Sequence, residues 1–90
     1  MLRFPNPSRS YDDSKKRICF WGYDSAIEVS FFIDIDTLKL LSPEMSDFES
    51  GFLETFDDER DHINAMASKV YREGSNRSYS YILLAADARK

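Results

Sequence analysis

The sequence predicts a small α+β domain with an antiparallel sheet in β-β-α-α-β order and helices packed on one face. Three observations carry this reading. Two runs rich in β-branched and aromatic residues, 17–23 and 26–33, are separated only by Asp24-Ser25, the spacing of a β-hairpin. Apolar residues between Phe48 and Tyr71 recur at the three-, four- and seven-residue separations of one helix face. A final β-rich run, 78–86, follows Gly74, a helix stop, and the polar loop Ser75-Asn76-Arg77.

Taken in order, residues 1–14 read as an extended, irregular arm. Pro5 and Pro7 lack backbone donors and push their preceding residues out of the helical region, so Phe4 and Tyr11 are its anchoring side chains. Asp12-Asp13-Ser14-Lys15-Lys16 reads as an exposed turn. The hairpin occupies 17–33. Its second run places Ile27, Val29, Phe31 and Ile33 on one face at period two, with Ala26, Glu28, Ser30 and Phe32 opposite. The first run is apolar on both sides, Ile18 and Phe20 against Cys19, Trp21 and Tyr23, as a central strand would be. Asp34 or Asp36 caps a short helix over 36–41 that Ser42-Pro43 stops. The main helical region spans 46–73. Gly51, and Glu59-Arg60 where apolar residues are due, place a break near Asp57. If that region carries the chain back across the sheet, the last strand runs parallel to the second and pairs antiparallel with the first, giving the strand order 2-1-3.

Composition narrows the classes of function. Ninety residues make one domain, 1–90, and 42% hydrophobic against 31% charged residues is a folding composition. Cys19 is the single cysteine, which excludes an intrachain disulfide and a multi-cysteine zinc site, and a cytoplasmic setting is expected. The opening Met1-Leu2-Arg3-Phe4-Pro5 shows no apolar signal region and no stretch is long enough to span a membrane, so neither export nor membrane insertion is expected. Asn76-Arg77-Ser78 matches a glycosylation sequon and reads as a polar turn. The net charge is −4, but residues 34–61 carry two basic and ten acidic side chains, a balance of −8. With no basic stripe to neutralise phosphates, nucleic acid is not an expected partner. The acidic segment itself could meet a basic protein surface, although keeping a small domain soluble is the simpler role for it.

The segments Phe4-Pro5-Asn6-Pro7-Ser8-Arg9-Ser10-Tyr11-Asp12 and Phe20-Trp21-Gly22-Tyr23-Asp24, with Phe56-Asp57 and Arg60 in the helical region, resemble the short bacterial proteins grouped as domain of unknown function 1488. The resemblance covers nearly the whole chain. It implies an uncharacterised bacterial protein and supplies no catalytic or binding residues.

Catalytic signals are weak when weighed against ordinary structural roles. Phe31-Phe32-Ile33-Asp34-Ile35-Asp36-Thr37-Leu38 resembles the aspartate-nucleophile motif of haloacid-dehalogenase-like phosphotransferases. That motif, however, has a residue between the second Asp and the Thr, and a strand ending in a helix cap explains the segment. Asp57, Asp58, Glu59 and Asp61 diverge around a helix and favour its dipole, rather than converging on a cation. His62 is the one histidine, so a Cys-His nucleophile would require Cys19 to reach it. Gly22, Gly51 and Gly74 stand apart and form no phosphate loop. Neither cofactor nor metal is expected, and no enzymatic activity.

The feature that stands out is aromatic. In strand order 2-1-3, Trp21, Tyr23, Tyr79 and Tyr81 would share the sheet face opposite the helices, an apolar patch of several hundred Å². Three coverings are open: the Phe4 to Tyr11 arm folded over it as core, a protein partner or a second copy forming a homodimer, or a small ligand. Trp21 itself is expected to be mostly buried. The leading function is a non-enzymatic protein-interaction or regulatory protein, and the alternative is a small-ligand-binding protein, or an enzyme, using an aromatic pocket.

Overall fold

The computed structural model describes residues 2–74 and 79–88. The sequon and Ser78, where the last strand was expected to begin, lie outside the described residues. Among the described residues, five strands and four helices follow in the order β1 (Leu2–Arg3), β2 (Arg9–Asp12), β3 (Arg17–Asp24), β4 (Ile27–Asp34), α1 (Ile35–Leu41), α2 (Glu49–Asp58), α3 (Arg60–Glu73), β5 (Ser80–Leu83) and α4 (Ala85–Ala88). This is an α+β arrangement with one mixed sheet, in which β3 and β4 form an eight-residue antiparallel hairpin.

Local chemistry explains the elements. The β3–β4 connection has two residues, Asp24 pairing with Ile27, and Ser25 takes the positive φ that so tight a turn needs. Before β3, the Asp12 carboxylate accepts hydrogen bonds from the Ser14 and Lys15 amides and the Ser14 hydroxyl, holding the turn, while Lys16 adopts a positive φ. Asp34 caps α1 by accepting the Thr37 amide at 2.8 Å. The long helical pattern divides at Glu59, which separates α2 from α3.

Three expectations are corrected. The arm is not irregular: β1 and β2 both pair antiparallel with β3, Leu2 opposite Asp24 and Tyr11 opposite Ile18, and the two prolines fall in the gap between them. The arm thus fills the edge of β3 that the strand order 2-1-3 reserved for the last strand. β5 therefore runs parallel to β4, as its direction requires, but pairs with β4 itself, and the sheet reads β1/β2-β3-β4-β5. Finally, the last strand ends at Leu83 rather than at residue 86. The Leu84 amide donates to Asp87 at 2.7 Å and starts a helical turn there.

Among the described residues, the buried core lies on one side of the sheet. Ile18, Phe20, Val29, Phe31, Ile33 and Leu83 meet Leu38 of α1, Phe52 and Phe56 of α2, and Ile63, Met66 and Ala67 of α3, while Ala88 of α4 packs at the edge of the same cluster. Phe20 is its hub, with Phe31, Phe56 and Phe4 at ring separations of 5.5, 5.1 and 6.2 Å.

Candidate functional site

The period-two alternation of β3 and β4 sends their remaining side chains to the opposite face. Arg17, Cys19, Trp21 and Tyr23 of β3 lie there beside Glu28, Ser30 and Phe32 of β4 and Ile82 of β5. Cys19, Phe32 and Ile82 form one cross-strand row, and Trp21, Ser30 and Ser80 form the next. Polar groups bound these rows at both ends. The Arg17 guanidinium stands 4.0 Å from the Phe32 ring centroid, and the Tyr23 hydroxyl donates to Glu28 Oε2 at 2.8 Å. Cys19, Trp21 and Phe32 are partly buried, and Ile82 is 51% exposed.

The four aromatic residues singled out in the sequence do not share this face. Trp21 and Tyr23 do. Tyr81 projects to the core side, where it stacks on Phe31 at 5.7 Å and meets Tyr71 edge-on at 5.6 Å. Tyr79 precedes β5, is 64% exposed, and holds the strand through its carbonyl, which accepts the Ser30 amide. The different register of β5 causes the mismatch, since pairing with β4 sets which of its side chains point outward. Sequence reasoning missed Phe32 and Ile82 as members of the face. Their period-two positions were the available signal, but they become neighbours only when β5 lies against β4.

The arm does not cover this face either. Phe4 packs on the core side against Phe20 and Phe31, and Tyr11 packs against Phe52 at 5.3 Å. Trp21 is partly buried, with less of its surface exposed than Ile82, in keeping with the expectation that it is mostly buried, although the helices that carry the core pack on the other side of the sheet.

Several of the other chemistry-bearing groups hold structural contacts. Asp57 receives Arg9 through paired contacts of 3.0 and 2.9 Å, and Arg60 donates to the Pro7 carbonyl at 2.7 Å while lying over the Phe56 ring. His62 stands by Glu59 on α3, on the core side of the sheet, whereas Cys19 is on the outer face, so the two are not brought together. Burial pushes the Cys19 thiol above its ordinary pKa, which disfavours the nucleophilic thiolate. Among the described residues no group of three or more His, Cys, Asp or Glu is placed to hold a metal ion, and no helix is long and apolar enough to cross a membrane. A groove of about 520 Å³ between Tyr11, Lys16, Asp36, Lys39, Asp47 and Phe52 carries charges of both signs, with Lys39 paired to Asp47 and Lys16 to Asp13.

The sequence profile of a family described as a protein of unknown function, DUF1488, matches residues 2–83. The crystal structure of a protein of unknown function from that family in Shewanella loihica PV-4 is similar in fold, with a TM-score of 0.75, 17% identity, and 89% of this chain and 90% of the other covered. No curated protein matches the sequence.

Proposed function

We propose that this chain, which belongs to the DUF1488 family of unknown function, is a non-enzymatic protein-interaction or regulatory protein of the bacterial cytoplasm that works through the outer face of its sheet. One observation supports the reading. A sheet face turned to water ordinarily alternates into polar residues, whereas this one presents Cys19, Trp21, Phe32 and Ile82 between polar ends. A centre of partly buried aromatic and exposed aliphatic side chains inside a polar rim is the arrangement of protein interfaces. Its form as a sheet surface favours a protein over a small ligand.

The test is affinity capture from a native bacterial lysate with the wild type, Ile82→Lys on the outer face, and Phe48→Lys on the helix side. Phe48 is 67% exposed and lies away from the sheet. Proteins retained by the wild type and by Phe48→Lys but lost with Ile82→Lys are expected. A retained set indifferent to Ile82→Lys refutes the reading.

A further inference from the structure

We infer that the occupant of the outer sheet face is a second copy of this chain, packed face to face about a two-fold axis. The inference rests on the interaction reading above and names its partner. Three features of the face point to self-association.

The first is shape. In the row Trp21-Ser30-Ser80, the bulkiest side chain of the face stands beside two of the smallest. A two-fold interface requires that whatever one copy projects, the other receives at the equivalent place. The indole of each copy therefore has a shallow seat over Ser30 and Ser80 of the other, and the row Cys19-Phe32-Ile82 supplies the apolar contact alongside. One row thus holds both the knob and its hole.

The second is charge. Within residues 34–61, whose balance is −8, Asp34 ends β4, and residues 35–61, at −7, include α1, α2 and the start of α3 on the core side of the sheet. The outward positions of the strands hold Arg3 and Arg17 against Asp12, Glu28 and Asp34, which leaves a single negative charge. Two acidic molecules that meet through their outer faces bring nearly neutral surfaces together, each with a balance of −1 against −7 on residues 35–61. Their acidic layers then lie on opposite sides of the pair, about two sheet-to-helix thicknesses apart and well beyond the Debye length of ~8 Å at physiological salt. Contact through the helix side would oppose like charges. A nearly neutral face also gives little preference for a strongly charged partner.

The third is area. Four strand positions at ~4.8 Å and a hairpin eight residues long at ~3.3 Å per residue give a face of roughly 500 Å², so a pair removes about 1,000 Å² of surface from water, the lower bound of specific interfaces. A reversible dimer, rather than an obligate one, is the expected state.

The experiment is sedimentation equilibrium of the purified chain over about two decades of concentration up to roughly 100 µM, with the rate of Cys19 reaction with Ellman's reagent as a second readout. The wild type is expected to pass from monomer to dimer as its thiol reaction slows, because Cys19 lies within the paired faces. Ile82→Lys sits on an edge strand, where lysine is well tolerated, and should weaken dimerisation at least ~100-fold with an unchanged melting temperature. Ser30→Phe fills the seat of the indole without removing any core contact and should weaken it as well. Phe48→Lys should dimerise as the wild type does. A wild type that stays monomeric throughout overturns the proposal, as does a dimer that Ile82→Lys and Ser30→Phe leave intact. A monomeric wild type whose captured proteins are still lost with Ile82→Lys sinks the second copy alone and leaves the interaction reading standing.

Discussion

Replacing Gly22 with alanine sets two effects of opposite sign against each other at one buried position of β3. Gly22 does not use a positive φ, so alanine fits its backbone, and a compatible Gly→Ala change normally stabilises by about 0.4–1 kcal/mol through the unfolded chain. The added Cβ, however, would stand 2.8 Å from Phe4 Cε2 and 3.1 Å from Leu2 Cδ1. Carbon atoms rest at ~3.5–4.0 Å, so the Phe4 ring would have to retreat by roughly 0.7 Å or more. It has little room, because Phe20 and Phe31 flank it at 6.2 and 5.9 Å. Overpacking of this kind costs about 1–3 kcal/mol, which outweighs the chain-entropy gain and leaves a net loss on the order of 1 kcal/mol. For a domain of this size that lowers the melting temperature by about 4–8 °C. Thermal melts of Gly22→Ala, Phe4→Ala and the double variant separate the terms, since removing the Phe4 ring should abolish the penalty and let the alanine gain appear. A Gly22→Ala protein as stable as the wild type would refute the close approach of the arm. An equal penalty with and without Phe4 would place the clash elsewhere.

Three further substitutions probe other parts of the fold. Phe56→Ala empties a fully buried site between the Phe20 ring and the Arg60 guanidinium, and should cost about 3–5 kcal/mol, read as a fall in the urea midpoint at unchanged slope. Asp34→Ala removes the carboxylate that accepts the Thr37 amide and should cost about 1 kcal/mol, whereas Asp34→Asn, which keeps an acceptor, should lie within a few tenths of the wild type in thermal melts. Tyr71→Phe removes the phenol that donates to Asp24 Oδ2 at 2.7 Å, the leading cause that holds this carboxyl below its ordinary value near 3.8. A depressed carboxyl pKa stabilises fully above the unfolded value and loses that stabilisation as pH falls through the lower folded one. The stability curves of wild type and Tyr71→Phe should therefore stand apart at neutral pH and converge below about pH 4, and curves that remain parallel into acid would remove Asp24 from the account.

The α+β class and the hairpin were legible because they depend on local pattern. Only two residues separate the runs now seen as β3 and β4, and alternation within each run assigned its side chains to faces. Asp34 was legible as a cap for the same reason, since an acid between a strand and a helical turn has a local task. The strand order was not, because it depended on the arm. Pro5 and Pro7 argued for irregular chain, yet they interrupt the ladder only between β1 and β2, and Arg9-Ser10-Tyr11-Asp12 pairs residue for residue with β3. The signal was present in Asp12-Asp13-Ser14, an acid able to fold a turn between two short extended runs. Had that hairpin been recognised, β3 would have been flanked on both sides and β5 left only the free edge of β4.

That single placement decides the candidate site as well. Alternation in β3 put Trp21 and Tyr23 on the outer face whatever the topology, but the outward residues of β5 follow from its register with β4, where Ser30 meets Ser80 and Phe32 meets Ile82. The aromatic pair Tyr79 and Tyr81 therefore leaves the site and a serine and an isoleucine enter it. The exchange changes the physical character of the face. Four clustered aromatics would have formed a continuous convex patch that any apolar surface could cover, whereas an indole beside two serines has relief, and relief selects its partner by shape. The acidic excess of residues 34–61 takes on its meaning in the same step. Spread along the sequence it reads as solubility. Gathered mostly on the helix layer, it leaves the outward strand positions, among the described residues, with a balance of only −1, so that burial of apolar surface there meets little opposition from charge.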